Sequence, residues 1–409
     1  MTAQTLAIDF GTSNSAAAVL ENGRVRRLQL APGSDTVPTA VFFPADRGPM
    51  LIGADAVAAL IGGEEGRFMR ALKSILGTSL FHESRLIGGK RRTLADVVTA
   101  FLVTLRERAG AQAGTVFRHA LSGRPVHFHS ADPDRDAKAE ADLRACYLAA
   151  GFETVDFLFE PEAAALAAQA PAKLGLIVDI GGGTSDFSVF RVENGKVRIL
   201  ASHGLRLGGT DFDQSVSLDH AMPLLGYGGS LRRTFGNGLL PVPNAIYLEL
   251  ATWAKIPFVY TPESRRLVAD MQKHAVEPAK IARLATVIEE ELGHSLAFAV
   301  EKGKIAANSG DYGARIEMGF IERGLAAPVS PASLDAALAG FRARLEEAMA
   351  ETLRLAGTGA GEIGSVVLVG GSSLMSMVGA AAEAVCPQAE QSRAEAFTAV
   401  VDGLALATA

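Results

Sequence analysis

Two short stretches place a carboxylate where a phosphate-binding turn would have none. In LAIDFGTSNS the apolar run Leu6, Ala7, Ile8 reads as a buried strand, and Gly11, Thr12 and Ser13 read as a turn whose amides and hydroxyls can cradle an anion. Asp9 stands between strand and turn. The same order recurs ~170 residues downstream in LIVDIGGGTSDF, where Asp179 precedes Gly181, Gly182, Gly183 and Thr184. Carboxylates repel phosphates, so a cation must stand between them. Mg²⁺ keeps several waters while one or two carboxylates and the substrate's phosphates hold it, which suits two aspartates at two such turns. The chemistry indicated is binding of a Mg-nucleotide. No GxxxxGK[ST] occurs in the chain, so the solution is not that of P-loop proteins.

The elements that position these groups follow from a longer repeat. LAIDFGTSNSAAAVLENGRVRRL and LIVDIGGGTSDFSVFRVENGKVRIL each run strand, Asp, turn, strand, Asn-Gly, strand. Asn22-Gly23 and Asn194-Gly195 predict two-residue hairpin turns, which need positive φ at both positions. Between the repeats strands alternate with helices, the pattern of an α/β architecture. Asp132 and Pro133 start a helix that Gly151 ends, and a strand over 155–159 follows. Glu160 comes directly after that strand, with a helix from Pro161 through Ala168. It is readable either as a helix N-cap or as a group at the carboxyl end of the sheet, where open α/β sheets bind ligands. A long amphipathic helix carries Leu334, Leu338, Phe341, Leu345, Met349 and Leu353 as a core stripe. A strand over 365–369, the turn Gly370, Gly371, Ser372 and a helix from about Leu374 complete a third candidate ligand turn.

Composition limits the classes available. A chain of 409 residues has room for about two or three domains, and 48% hydrophobic with 21% charged residues is a globular balance. The start MTAQTLAID lacks the basic and apolar regions of a signal peptide, and no apolar run reaches about 18 residues, so we expect a cytoplasmic protein with no membrane partner. A net charge of −6 argues against nucleic-acid binding. Lys90, Arg91 and Arg92 read as a solvated turn, and Cys146 and Cys386 as reduced, partly buried thiols. RPVHFHS reads as a strand that would put His127 and His129 on one face, with no further metal ligand evident. Glu289, Glu290 and Glu291 read as a solvated acidic face. The glycines from Tyr227 to Gly238, with Arg232 and Arg233, read as a loop.

These motifs together resemble the ATPase domain of the DnaK-type seventy-kilodalton heat-shock chaperones, within the actin and sugar-kinase superfamily. IDFGTSNS and VDIGGGTSDFSV resemble the family's two phosphate motifs, FEPEAAALA its connecting motif and VVLVGGSS its adenosine motif. DTVPTAVFF, LIGADA, ALKSILG and LRLGGTDFD extend the likeness to the chaperone branch, and the short YegD-like members are the most similar. The resemblance implies an α/β fold of two lobes, each a ribonuclease-H-like domain, with a nucleotide cleft between them. Lobe I would span 1–172 with an insertion at about 44–118. Lobe II would span 173–409 with an insertion at about 213–332, and its last helix, with Phe397, Val400, Val401 and Leu404, would pack back toward lobe I.

Carried over residue by residue, the resemblance implies that Asp9 and Asp179 position Mg²⁺. Gly11, Thr12, Ser13 and Gly181 to Thr184 would contact phosphates, with Asp179 and Thr184 also in the catalytic set. Lys73 would reach the transferred phosphate, and Glu160 would help position the attacking water. Asp186 is a weaker site candidate. Gly208 and Gly209 would lie near the outer phosphates. Glu301 and Lys304 would hold ribose and adenine, opposite Gly370, Gly371 and Ser372. Ile305 and Leu374 stand where the chaperones place arginines on the two faces of adenine, and losing each cation–π contact is worth roughly 0.5–2 kcal/mol. The implied ligands are ATP or ADP with Mg²⁺, and the implied activity is a weak ATP hydrolysis that switches conformation. Residues 374–409 are expected to hold two helices at most, which gives an ATPase module without its own peptide-binding domain, working through a protein partner or co-chaperone. A sugar-type small-molecule kinase of the same fold and an actin-like nucleotide-dependent assembly protein stay open as alternatives.

Overall fold

The computed structural model describes residues 5–129, 132–168, 174–193, 196–234, 236–393 and 398–409. It is a mixed α/β structure with several sheets, and the chain divides into two compact units, Met1–Gly209 with Arg342–Ala409, and Thr210–Phe341.

Both large sheets lie in the first unit and share one plan. In the first sheet Thr5–Phe10, Asn14–Glu21 and Arg24–Leu28 form an antiparallel meander, and His119–Arg124 and then Thr154–Phe159 add parallel beside Thr5–Phe10. The second repeats this with Leu174–Ile180, Ser185–Glu193 and Lys196–Leu205 as the meander and Ser365–Val369, then Glu390–Arg393, parallel beside Leu174–Ile180. The expected lobe boundary at 172/173 therefore falls within this unit. Asn22 and Gly23 take φ of 52° and 73°, the two positive values that the first hairpin turn requires. The matching Asn194-Gly195 lies outside the described residues.

Two helices pack against these sheets, and small side chains let them approach closely. Glu160–Ala168 presents Ala163, Ala164 and Ala165, all fully buried, to Ala399–Leu406 near the end of the chain. A Cβ on Gly403 would overlap the Ala163 carbonyl, so only glycine permits this contact. Val400, Val401 and Leu404 are buried there, while Phe397 lies outside the described residues. Arg27 grips Asp402 with two hydrogen bonds of 2.9 and 2.6 Å, tying this last helix to the first meander.

Several local expectations are corrected. Lys90–Arg92 is a strand, not a turn; it pairs with Arg85–Ile87 around Gly88 and Gly89, whose φ values of 57° and 72° make the hairpin. Residues 125–129 do not continue the strand that ends at Arg124. Their donors go to side chains instead: Val126 N–H to Asp186 and His129 N–H to Asp136. The third turn is a 3₁₀ segment, Gly371–Leu374, because the Ser373 amide and hydroxyl both bond the Gly370 carbonyl, and the helix begins only at Ser376. The strand Glu390–Arg393 stands where helices alone were expected.

The second unit is largely helical, with Pro262–His274, Pro278–Glu289 and Gly293–Asn308 among its helices. The glycine-rich stretch after Tyr227 holds a hairpin, Ser230–Arg232 with Leu239–Pro241, fastened where Arg232 donates to the Ala275 carbonyl at 2.7 Å. Trp253 is buried and donates its indole N–H to Asp213 at 3.0 Å. Among the described residues no helix is long and apolar enough to cross a membrane. Cys146 and Cys386 are buried free thiols.

Candidate functional site

Asp9 and Asp179 occupy equivalent places, each the last residue but one of the first strand in its sheet. Their antiparallel register partners are Ala16 and Asp186. Glu160 is the first residue of its helix and follows the strand Thr154–Phe159 without a break, so both readings of it from sequence describe one position. Lys73 comes from a different segment, the short 3₁₀ turn Leu72–Ile75. Its Nζ lies 2.5 Å from Glu160 Oε1, with both residues under 10% exposed, at 6% and 8%.

The glycine turns close around these groups. A Cβ on Gly182 would lie 2.5 Å from Ser13 Oγ, and one on Gly183 3.3 Å from Thr12 Oγ1, so the turns of the two repeats touch. A Cβ on Gly208 would come within 2.5 Å of the Gly183 amide nitrogen, and the Gly209 amide donates to Gly181 O at 3.0 Å. Gly370, with φ of 83°, passes so close to the second aspartate that a Cβ would stand 2.6 Å from Asp179 Oδ1. Within the second turn, Gly181 N–H bonds the Thr184 carbonyl at 2.9 Å. Glycine thus lets these turns pack against one another and against Asp179 beside the carboxylates.

Charge is unbalanced here. Burial raises the Asp9 carboxyl from its ordinary value to about 7, and Glu160 adds repulsion that Lys73 only partly relieves. Asp179 is pushed well above the carboxylate range by burial, then by Glu160 and Asp9. Asp186 rises likewise through burial, Glu160 and Asp179, against the Val126 N–H that bonds its Oδ1 at 2.6 Å. Burial alone would lower the Lys73 ammonium, but Glu160 and Asp9 reverse that and raise it. Four carboxyl groups therefore face one ammonium. Among the described residues no three His, Cys, Asp or Glu side chains form a direct metal cage. The donor set fits a cation that keeps its waters and shares phosphate ligands.

Not every expected residue joins this cluster. Glu301, Lys304 and Ile305 belong to the helix Gly293–Asn308 of the second unit. There the Lys304 ammonium lies 2.6 Å from Asp213 Oδ1, both side chains buried. Asp213 escaped the sequence reading, although LRLGGTDFD contains it. Ile305 and Leu374 are exposed apolar side chains, at 57% and 39%. His127 and His129 do not form half a metal site, because His129 is buried and donates Nε2–H to the Leu76 carbonyl at 2.7 Å.

Residues 83–224 of the chain match the family model described as Hsp70 protein, a span that includes Glu160, Asp179, the turn Gly181–Thr184 and Gly208-Gly209.

Proposed function

We propose that the chain is an ATPase module of the heat-shock 70 family, binding Mg-ATP at the glycine turns of its first unit and transferring the terminal phosphate slowly to water. The observation that carries this reading is the buried Lys73–Glu160 pair beside Asp9 and Asp179, with two turns rich in Gly, Thr and Ser next to it whose amides and hydroxyls suit phosphate oxygens. The match over residues 83–224 supports it, since the family's domain is an actin-like ATPase. The common plan of the two sheets supports the duplicated, two-lobed form, with lobes 1–172 and 173–409.

In this reading Asp9 and Asp179 would hold Mg²⁺, which would supply neutralisation of phosphate charge. Lys73 binds the terminal phosphate. Glu160 accepts a hydrogen bond from the attacking water and orients it, while the hydrogen bond from Lys73 Nζ holds this side chain in place. Thr12, Ser13, Thr184 and the amides of the glycine turns bind phosphate oxygens. Gly370, Gly371, Ser372 and Leu374 contact the nucleoside. The finer assignment to the short YegD-like kind, acting as a switch on a protein partner, rests on motif resemblance.

The test is release of phosphate from ATP by the purified protein, with Mg²⁺ and with a chelator, with and without sugars, and with sedimentation in ATP. Mg²⁺-dependent release that needs no added acceptor supports the reading. Transfer to a sugar alone, or no binding of Mg-ATP, would reject it.

A further inference from the structure

Lys73 reaches Glu160 from a loop with little regular structure of its own, a 3₁₀ turn over Leu72–Ile75 and a single helical turn over Ser79–His82. Something must hold such a loop if its ammonium is to stay in place. Ala71, two residues before Lys73, is left-handed at φ 60°, a conformation that costs a residue with a Cβ roughly 1–2 kcal/mol and persists only under constraint.

The constraint is found three and four residues past Lys73. The Leu76–Gly77 peptide is gripped at both ends: its carbonyl accepts from His129 Nε2–H at 2.7 Å, and its N–H donates to Asp142 Oδ2 at 3.0 Å. His129 and Asp142 are themselves buried, 6% and 7% exposed. Gly77, at φ 75°, lies so close to the helix Pro133–Ala149 that a Cβ would stand 2.5 Å from the Arg135 carbonyl. Asp142 also meets His82 Nε2 at 2.8 Å with its other oxygen, so one carboxylate holds the loop at two points, and Lys138 balances its charge at 3.1 Å. Neither Asp142 nor His129 is a member of the carboxylate cluster.

We propose that Asp142 and His129 are positioning residues for Lys73, fixing the Leu76–Gly77 peptide so that the ammonium is presented to Glu160 and the terminal phosphate. This rests on the reading of Lys73 as a phosphate-binding group. A catalytic group displaced by about an ångström can lose about a hundredfold in rate, so a partial release of the loop is visible in kinetics before it is visible in binding.

The experiment measures Mg-ATP affinity by calorimetry and single-turnover hydrolysis in the full chain, in Asp142→Ala, in Lys73→Ala and in the double variant. Asp142→Ala should slow hydrolysis about tenfold with affinity unchanged. Asp142→Asn, which keeps an acceptor for the Gly77 amide, should recover most of the rate. In the Lys73→Ala background Asp142→Ala should cost nothing further, an outcome that a merely structural role would not produce. The same tenfold loss in that background, an affinity that falls in step with the rate, or an unchanged rate would overturn the inference. If Asp142→Ala does not fold, His129→Leu, which frees only the carbonyl, is judged by the same outcomes. Lys73→Ala without effect would sink the functional reading and this inference with it, whereas a slow Lys73→Ala beside a normal Asp142→Ala would sink the inference alone.

Discussion

The two large sheets are built to one plan, yet their strand ends carry different chemistry. In the first, the parallel strand Thr154–Phe159 delivers Glu160, and a loop from outside the sheet brings Lys73 to meet it. In the second, the equivalent neighbourhood of Asp179 is filled by backbone, with Gly370 pressed against the aspartate and Gly208 against the turn Gly181–Thr184. Register sharpens the contrast: opposite Asp9 stands Ala16, and opposite Asp179 stands Asp186, which reaches across to the Val126 amide at 2.6 Å. A duplicated scaffold thus yields one side where a buried ion pair stands beside the aspartate and one where backbone packs against it. The matched aspartates are what the two sides share.

The largest effect that could break this division is kinetic. Glu160→Gln and Lys73→Ala should each lower single-turnover ATP hydrolysis about a hundredfold or more, with Mg-ATP affinity within a few-fold of the parent. Affinity that collapses together with the rate would mean that Lys73 and Glu160 carry the binding and not the chemistry alone. Next in size is a stability effect at Asp186. Asp186→Ala leaves the Val126 amide without its acceptor and should cost roughly 1–3 kcal/mol in urea unfolding. Asp186→Asn keeps an acceptor and removes a carboxyl that burial, and then Glu160 and Asp179, push well above the carboxylate range, so it should be neutral or stabilising. An Asn variant as unstable as the Ala variant would show that the charge, not the hydrogen bond, is what matters there.

Two glycines sharpen the comparison further. A Cβ on Gly208 meets the Gly183 amide at 2.5 Å and the Gly181 carbonyl at 2.8 Å, both rigid backbone, so Gly208→Ala must displace the second turn. Mg-ATP affinity should fall about tenfold in calorimetry, with the hydrolysis rate of the bound complex changed less. On the first side a Cβ on Gly123 would stand 3.2 Å from Glu160 Cγ, so Gly123→Ala should show the reverse pattern, about a threefold slower rate at unchanged affinity. The same pattern in both variants would erase the distinction.

How much of this was legible in the sequence follows from where the information sits. Thr5–Phe10, Leu174–Ile180 and Ser365–Val369 lie in sheet interiors and are almost wholly buried, so they read as short apolar runs. Asn22-Gly23 read as a hairpin because its backbone demands that pair, whereas Gly88-Gly89 makes the same demand but was obscured by the charges of Lys90 to Arg92. Asp9 and Asp179 stood out because a carboxylate contradicts its turn. The Lys73–Glu160 pair is different: its members are 87 residues apart, and no local pattern joins them. Only the motif resemblance named both. Asp142 and Asp213, and the contact that His129 makes, were invisible for a related reason. Asp142 sits in a helix rich in charge, and nothing short of the folded chain shows that its carboxylate faces a buried peptide.

The smallest predicted effect concerns pH and the loop that serves the first side. Burial lowers His129 below its ordinary 6.5, the Leu76 carbonyl opposes this only in part, Arg135 and Arg206 add to the lowering, and Asp136 works against it. Folded His129 therefore stays neutral where the unfolded chain begins to take up a proton. In that window the unfolded state binds more protons, so stability rises with pH, and the contribution of His129 is lost as pH falls below about 6.5 toward its lowered folded value. His129→Gln keeps a donor for the Leu76 carbonyl but cannot titrate. Melting temperatures between pH 7.5 and 5.5 should accordingly fall less steeply in the glutamine variant, since the other titrating groups are common to both proteins. Parallel slopes would show that His129 is not held neutral, and with it that the peptide beside Lys73 is gripped less tightly than the 2.7 Å hydrogen bond implies.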